Sequence, residues 1–190
     1  MFHQHGVIAA HRFARTSLPS VVERSAKRWR LEPRVVAAVL AVEMLARGAL
    51  WRYMELVTAY GLLALGCHAR VDRMSLGIAQ IQPRRMRGTD DIKQRVGVLR
   101  GESGSADECA RLLAEICHQV RIDQLPPGRW SRDDWAQVAL AYGGNRRYGD
   151  AMKAAFVALT QIALQTGADA CSSEGGGSAA RARPRSTGRS

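Results

Sequence analysis

Residues Leu31 to Arg47, LEPRVVAAVLAVEMLAR, decide how this chain is read. The stretch predicts a helix over about 33–47. Pro33 suits a first helical position, because its missing N–H would be unsatisfied there anyway. Gly48 marks the end. Val36, Val39, Leu40 and Glu43 fall at i, i+3, i+4 and i+7, which is one helical face. That face is otherwise apolar, so Glu43 points towards the core or towards a cleft lined by it. Burial disfavours the charged form of a carboxylate and raises its pKa. A glutamate still protonated near neutral pH can act as a general acid. The structural alternative is a rim residue that reaches solvent or an arginine, as single acids on apolar faces usually do.

Outward from this helix, the upstream segment predicts a helix from Ser17 or Ser20 through Arg30, with Val21, Val22 and Trp29 as apolar members. Residues 1–16 are expected to be a flexible basic lead carrying His3, His5 and His11. Downstream, Ala49 to Leu65, ALWRYMELVTAYGLLAL, predicts a helix that is apolar nearly all round and therefore buried in the core. Gly66 ends it, and Cys67 to Arg73 is a polar loop. Met74 to Pro83, MSLGIAQIQP, alternates small and apolar residues. It reads either as a short strand or as a tight loop in which Gly77 lets the backbone approach a ligand. Its structural alternative is a plain turn packed on the core.

Further helices are expected over 91–99, from Ser105 to about Val120, from Ser131 to Gly143–Gly144–Asn145, and over 148–165. Ser105 with Glu108 has the form of a capping box. Asp133 and Asp134 favour the first turn after Ser131, and Pro126–Pro127–Gly128 is a break. From Gly167 onwards glycine, serine, proline and arginine replace periodic apolar residues, which predicts a disordered basic tail over 167–190. The domain organisation is thus one helical domain over 17–166 between two tails.

A chain of 190 residues with 46% hydrophobic residues can bury a sizeable core. Strand patterns are nearly absent, so the class is mainly α. The net charge is +11. Residues 171–190 hold four arginines and one glutamate and so carry +3, leaving +8 for the rest. That excess points to a polyanionic partner: nucleic acid, an anionic membrane surface or an anionic wall polymer. Cys67, Cys109, Cys117 and Cys171 show no metal-ligand spacing, so no metal site is expected. Free buried thiols are expected ahead of a bridge from Cys67. The apolar run Val7 to Ala10 is too short for a signal-peptide core, and no stretch is long enough to span a membrane.

Three separated segments, VVAAVLAVEM, MSLGIAQIQP and ALAYGGN, resemble in order and content the motifs of the lysozyme-like superfamily, and most closely its soluble lytic transglycosylase branch. The resemblance covers about Val21 to Gln165. The second motif is the most specific, with Gly77, Gln80, Ile81 and Pro83 keeping type and spacing. The resemblance implies a lysozyme-like helical domain with a short irregular or β-like cleft segment. It also implies a peptidoglycan-cleaving muramidase that cuts the β-1,4 bond between N-acetylmuramic acid and N-acetylglucosamine, without cofactor. Glu43 would be the acid/base. Ser75, Leu76, Gly77, Ile78, Gln80, Tyr142 and Asn145 would bind substrate. The partner would be the peptidoglycan glycan strand, and the location the cell wall, periplasm or exterior.

Departures accompany the match. Met44 stands where the family has serine, Gly143 where it has asparagine, and an additional helix separates Glu43 from Gly77. A hydrolase of this class would use a second carboxylate, for which Asp72 and Glu55 are the candidates. Glu55 qualifies only if the chain turns at Gly48, since twelve residues of continuous helix would span ~18 Å. A transglycosylase needs none, because the sugar's own 6-hydroxyl attacks. Two readings from other classes remain: a basic helical nucleic-acid-binding protein, and an inactive lysozyme fold that binds glycan.

Overall fold

The computed structural model of the chain describes residues 2–174; Met1 and residues 175–190, where most of the expected tail falls, lie outside the described residues. Among the described residues there are nine α-helices and two short 3-10 turns, and the one β interaction is an isolated antiparallel bridge. The mainly α class therefore holds. Residues up to Thr160 form the compact unit that contains the site.

Helix α3 (Pro33–Ala46) is its axis. Pro33 occupies the first turn, and all eight residues from Val35 to Val42 are buried. A fully buried valine or leucine favours folding by roughly 1.5–3 kcal/mol, so this segment alone nucleates a core. Three helices enclose it: α1 (Phe2–Ala14), α2 (Leu18–Arg28) and α7 (Glu102–Gln119).

Helix α1 corrects the expectation of a flexible lead over 1–16. Gly6, Ala9, Ala10 and Phe13 are buried on one face, at i, i+3, i+4 and i+7 spacing. The fit is close at Gly6, where an added Cβ would lie 2.2 Å from the Ala151 carbonyl oxygen and 2.8 Å from the Ala154 Cβ.

Helix α4 (Ala49–Ala64) corrects the expectation of a buried core helix. Only Ala59 and Leu63 are buried in it, while Leu50 is 74% exposed and Trp51 70%. It packs against α5 (His68–Val71) and α6 (Ile92–Arg100). The core place that its composition suggests is taken by α1, which covers α3 instead. No helix among the described residues is long and apolar enough to cross a membrane.

Asp91 caps α6 by accepting from the Lys93 amide at 2.9 Å. Helix α7 begins four residues earlier than a cap at Ser105 would place it. Gly101 is its N-cap, Ser105 lies buried within it, and Glu108 pairs with Arg111 instead of closing a capping box. Gly104 permits the α6–α7 contact, since a Cβ there would stand 2.5 Å from the Val98 carbonyl oxygen. The capping box appears at α8 (Arg132–Gly143), where Ser131 and Asp134 bond reciprocally and Gly144 ends the helix in the left-handed region. The last helix, α9 (Tyr148–Glu174), continues beyond residue 167, so 167–174 are helical where the sequence predicts a disordered tail. Cys109 and Cys117 are buried free thiols, and Cys67 is an exposed one.

Candidate functional site

Glu43 lies in the last turn of α3, partly buried, at the end of the all-apolar run. Burial pushes its carboxyl pKa from 4.5 up to about 7, against the lowering pull of the Arg47 guanidinium. Across from it, Gly143 leaves room: a Cβ at that position would sit 3.8 Å from Glu43 Oε1. The buried Tyr142 hydroxyl and Cys109 thiol lie close enough for the Glu43 charge to raise both, after burial as the main cause. Glu43 is thus a largely buried carboxyl that lies beside the backbone of Gly143.

The segment Met74–Pro83 forms the opposite wall. Leu76 and Ile81 exchange both backbone hydrogen bonds, at 3.0 and 3.1 Å. They close a turn over Gly77–Gln80. Gly77 needs its glycine twice: its φ is +73°, and a Cβ would stand 2.2 Å from the Leu99 carbonyl oxygen. Gln80 also has a left-handed φ, of 52°, which few non-glycine residues adopt and which often marks a functional constraint. Two bonds from outside the turn hold Ala79. The Ser105 hydroxyl accepts its N–H at 3.1 Å, and the Tyr142 hydroxyl donates to its carbonyl at 2.7 Å.

The Gln80 amide is oriented by its surroundings. Its Nε2 donates to Glu55 Oε2 and to the Gly77 carbonyl, each at 3.0 Å. Both partners are acceptors, which fixes the amide's direction. Its Oε1 is then buried without a partner among the described residues. The other Glu55 oxygen pairs with Arg47, the residue that also acts on Glu43. The chain does turn at Arg47–Gly48, where both residues are extended. Arg47, Glu55 and Gln80 are therefore joined by side-chain bonds, and Glu43 is tied to them through the charge of Arg47.

The remaining expected site residues divide. Ser75 and Ile78 are partly buried, with Ile78 packed on the core. Leu76 is wholly buried, so it belongs to the core and not to a substrate surface. Tyr142 binds the Ala79 backbone, so its hydroxyl holds the wall in place. Asn145 is exposed, and its side chain accepts the Arg147 amide at 3.0 Å; it stabilises the turn before α9. Asp72 pairs with Arg95 at 3.5 Å and lines a separate hollow with His68, Asp90 and Ile92.

Three contributors escape the sequence. Arg47 links the two glutamates. Ser105 is disguised by its resemblance to a cap. Arg85, in a basic connector, donates to the Tyr142 and Ala141 carbonyls at 2.5 and 2.9 Å and so closes the end of α8. A groove of about 360 Å³ lies on another side of α3, lined by Phe2, His5, Val42, Leu45, Ala46 and Tyr148; neither Glu43 nor Gln80 lines it. Comparison of the chain with family models, with curated proteins and with solved structures finds no match.

Proposed function

We propose that the chain is a peptidoglycan-cleaving muramidase working as a lytic transglycosylase, with Glu43 as its single acid/base. The observation that carries this is the Glu43 carboxyl held at about 7 by burial, beside the Gly143 backbone and within the field of Arg47, which pairs with the Glu55 that holds Gln80. Near neutral pH such a carboxyl carries a proton in a large fraction of molecules, which suits a general acid. Glu43 gives this proton to the bridging glycosidic oxygen as the C1–O bond breaks and positive charge develops at C1. The Glu43 carboxylate then takes the proton of the 6-hydroxyl of the same N-acetylmuramic acid, whose oxygen bonds to C1. The product is a 1,6-anhydro end, Glu43 is protonated again, and no water is consumed.

Gln80 supplies the second support. A buried amide oxygen with both sides of its neighbouring NH2 occupied is an acceptor that waits for a donor, since leaving it unmade costs about 1–3 kcal/mol. The N–H and O–H groups of an acetylated amino sugar are donors of that kind.

The hydrolytic alternative needs a free second carboxylate. Glu55 is in the cluster, but both its oxygens are engaged. Asp72 lines a separate hollow with His68, Asp90 and Arg95, away from the Glu43 carboxyl. That favours the mechanism in which Glu43 works alone. The nucleic-acid reading has less support, because the basic residues are scattered along the chain and not gathered on one helix.

Turbidity clearing of purified peptidoglycan by the wild type and by Glu43→Gln tests the proposal. Clearing by the wild type alone, with 1,6-anhydro products by mass spectrometry, is the expected result. Products with reducing ends would replace the transglycosylase by a hydrolase. Absence of clearing, with tight and salt-dependent DNA binding, would remove the enzyme altogether.

A further inference from the structure

We propose that the outward face of α4 docks on an anionic phospholipid surface. The helix is amphipathic in the inverted sense. Arg52, Glu55, Ala59 and Leu63 lie on its inner side, where they are buried or partly buried. Opposite them stand Leu50, Tyr53, Met54 and Val57 at i, i+3, i+4 and i+7, followed by Gly61 and Ala64 on the same face. Their exposures are 74% for Leu50, 64% for Tyr53, 48% for Met54 and 47% for Val57. No charged residue interrupts this side. Trp51 and Tyr60 flank it at 70% and 41% exposed.

This is one patch, not the ordinary scatter of surface leucines. Of the 13 large apolar side chains that are exposed among the described residues, seven fall between Leu50 and Leu65. Sixteen residues at 1.5 Å each make a strip roughly 24 Å long. Contiguous apolar surface of that extent marks an interaction site.

Charge decides among occupants. The chain carries +11. The exposed Arg70 and Arg73 lie just beyond the C-terminal end of α4, on and after the α5 turn that packs against it, and neither is in an ion pair among the described residues. Facing a second copy, the strip would bring two such basic ends into one assembly. Facing an anionic bilayer, the same arginines meet phosphate. The aromatic residues point the same way, because tryptophan and tyrosine rings favour the boundary between headgroups and acyl chains. A helix with an apolar face in that boundary and basic residues beside it lies in the membrane plane without crossing it. The proposal uses no residue of the Glu43 cluster, and its test requires no turnover.

The test uses the full chain with vesicles of phosphatidylcholine alone and of phosphatidylcholine mixed equally with phosphatidylglycerol. Cosedimentation with the anionic vesicles only, weakened by added salt, is expected. Emission from exposed Trp51 should shift to the blue and be quenched by lipids brominated high on their acyl chains, and Trp51→Phe should abolish both changes. The double variant Tyr53→Glu/Val57→Glu alters two exposed residues and should bind at least ~tenfold more weakly, with an unchanged circular-dichroism melt. Quenching in the wild type provides a second readout should the double variant misfold. Equal binding by the double variant, or vesicle binding without any Trp51 quenching, overturns the proposal. So does a concentration-dependent dimer in sedimentation equilibrium that the double variant abolishes, because the occupant is then a second copy.

Discussion

Replacing Glu43 by glutamine should change how stability depends on pH, before any substrate is added. The carboxyl has a pKa of 4.5 when unfolded and about 7 when folded, raised by burial. Below 4.5 it is protonated in both states. Between 4.5 and about 7 the unfolded chain gives up the proton and the folded chain keeps it. Unfolding then releases a proton, and stability falls as pH rises. Above about 7 both states are ionised, and the burial of charge reaches its full cost. At ~1.4 kcal/mol for each pH unit the raised pKa corresponds to ~3 kcal/mol. Glutamine keeps the shape and does not titrate. Urea unfolding of both proteins should therefore give similar stabilities near pH 4.5 and a Glu43→Gln variant more stable by ~3 kcal/mol at about pH 8. Parallel curves for the two proteins across this range would refute the reasoning, since Glu43 would then be as well solvated folded as unfolded. Arg47→Met supplies an internal control: it removes the charge that lowers the Glu43 pKa, so the transition should move to higher pH.

The other predictions concern the wall and the rate. Gly77→Ala forces a side chain into the left-handed region and against the Leu99 carbonyl, and should cost ~3 kcal/mol or more by urea unfolding. Ser105→Ala leaves the Ala79 N–H buried without its partner and should destabilise by ~1–3 kcal/mol in the same assay. Tyr142→Phe loses the bond to the Ala79 carbonyl, at ~1–2 kcal/mol. It should retain measurable peptidoglycan clearing where Glu43→Gln retains none, because its hydroxyl positions the wall and does not touch the reacting atoms. Clearing by the wild type should decline as pH rises through about 7, the Glu43 value, with its acid form lost about tenfold per pH unit beyond it.

Local chemistry made much of the helical framework legible. Pro33 at a helix start, the Ser131 cap and the stop at Gly143–Gly144 each act within one turn of chain, so sequence reveals them. The errors arise where the outcome depends on what lies across the core. Residues 1–16 look like a polar lead because their histidines and arginines dominate, yet the spaced small residues Gly6, Ala9 and Ala10 let α1 lie close against α3 and α9. Helix α4 is apolar nearly all round, which does not reveal which neighbours arrive or that Arg52 and Glu55 mark its inner side. Ser105 has the spacing of a cap, and only the fold shows that its hydroxyl is needed 26 residues back, at Ala79. At the candidate site, the buried setting of Glu43 follows from the apolar run that precedes it. The link through Arg47 to Glu55 and Gln80 depends on the direction the chain takes after the break that Gly48 announces, which sequence does not fix.

That link bears on the choice between one carboxylate and two. A carboxylate that activates water as a base is weakened by each donor that already holds its oxygens, because hydrogen bonds to the charged form lower its basicity. Glu55 meets Arg47 with one oxygen and the Gln80 amide with the other. Freeing the Gln80 amide would strand it in a partly buried place, whereas Arg47 is exposed. The present bonds of Glu55 do something else: they fix the direction of the Gln80 amide and leave Oε1 as the acceptor. Glu55→Gln separates the two roles. Glutamine can rotate its amide oxygen towards Gln80 Nε2 but cannot neutralise Arg47. If Glu55 only positions, the variant should bind glycan more weakly, raise KM and still yield anhydro ends at a kcat reduced by less than ~tenfold, a change of at most ~1.4 kcal/mol. If Glu55 were the base of a hydrolase, kcat should collapse by ~10²-fold or more, and the reducing-end products should vanish with it.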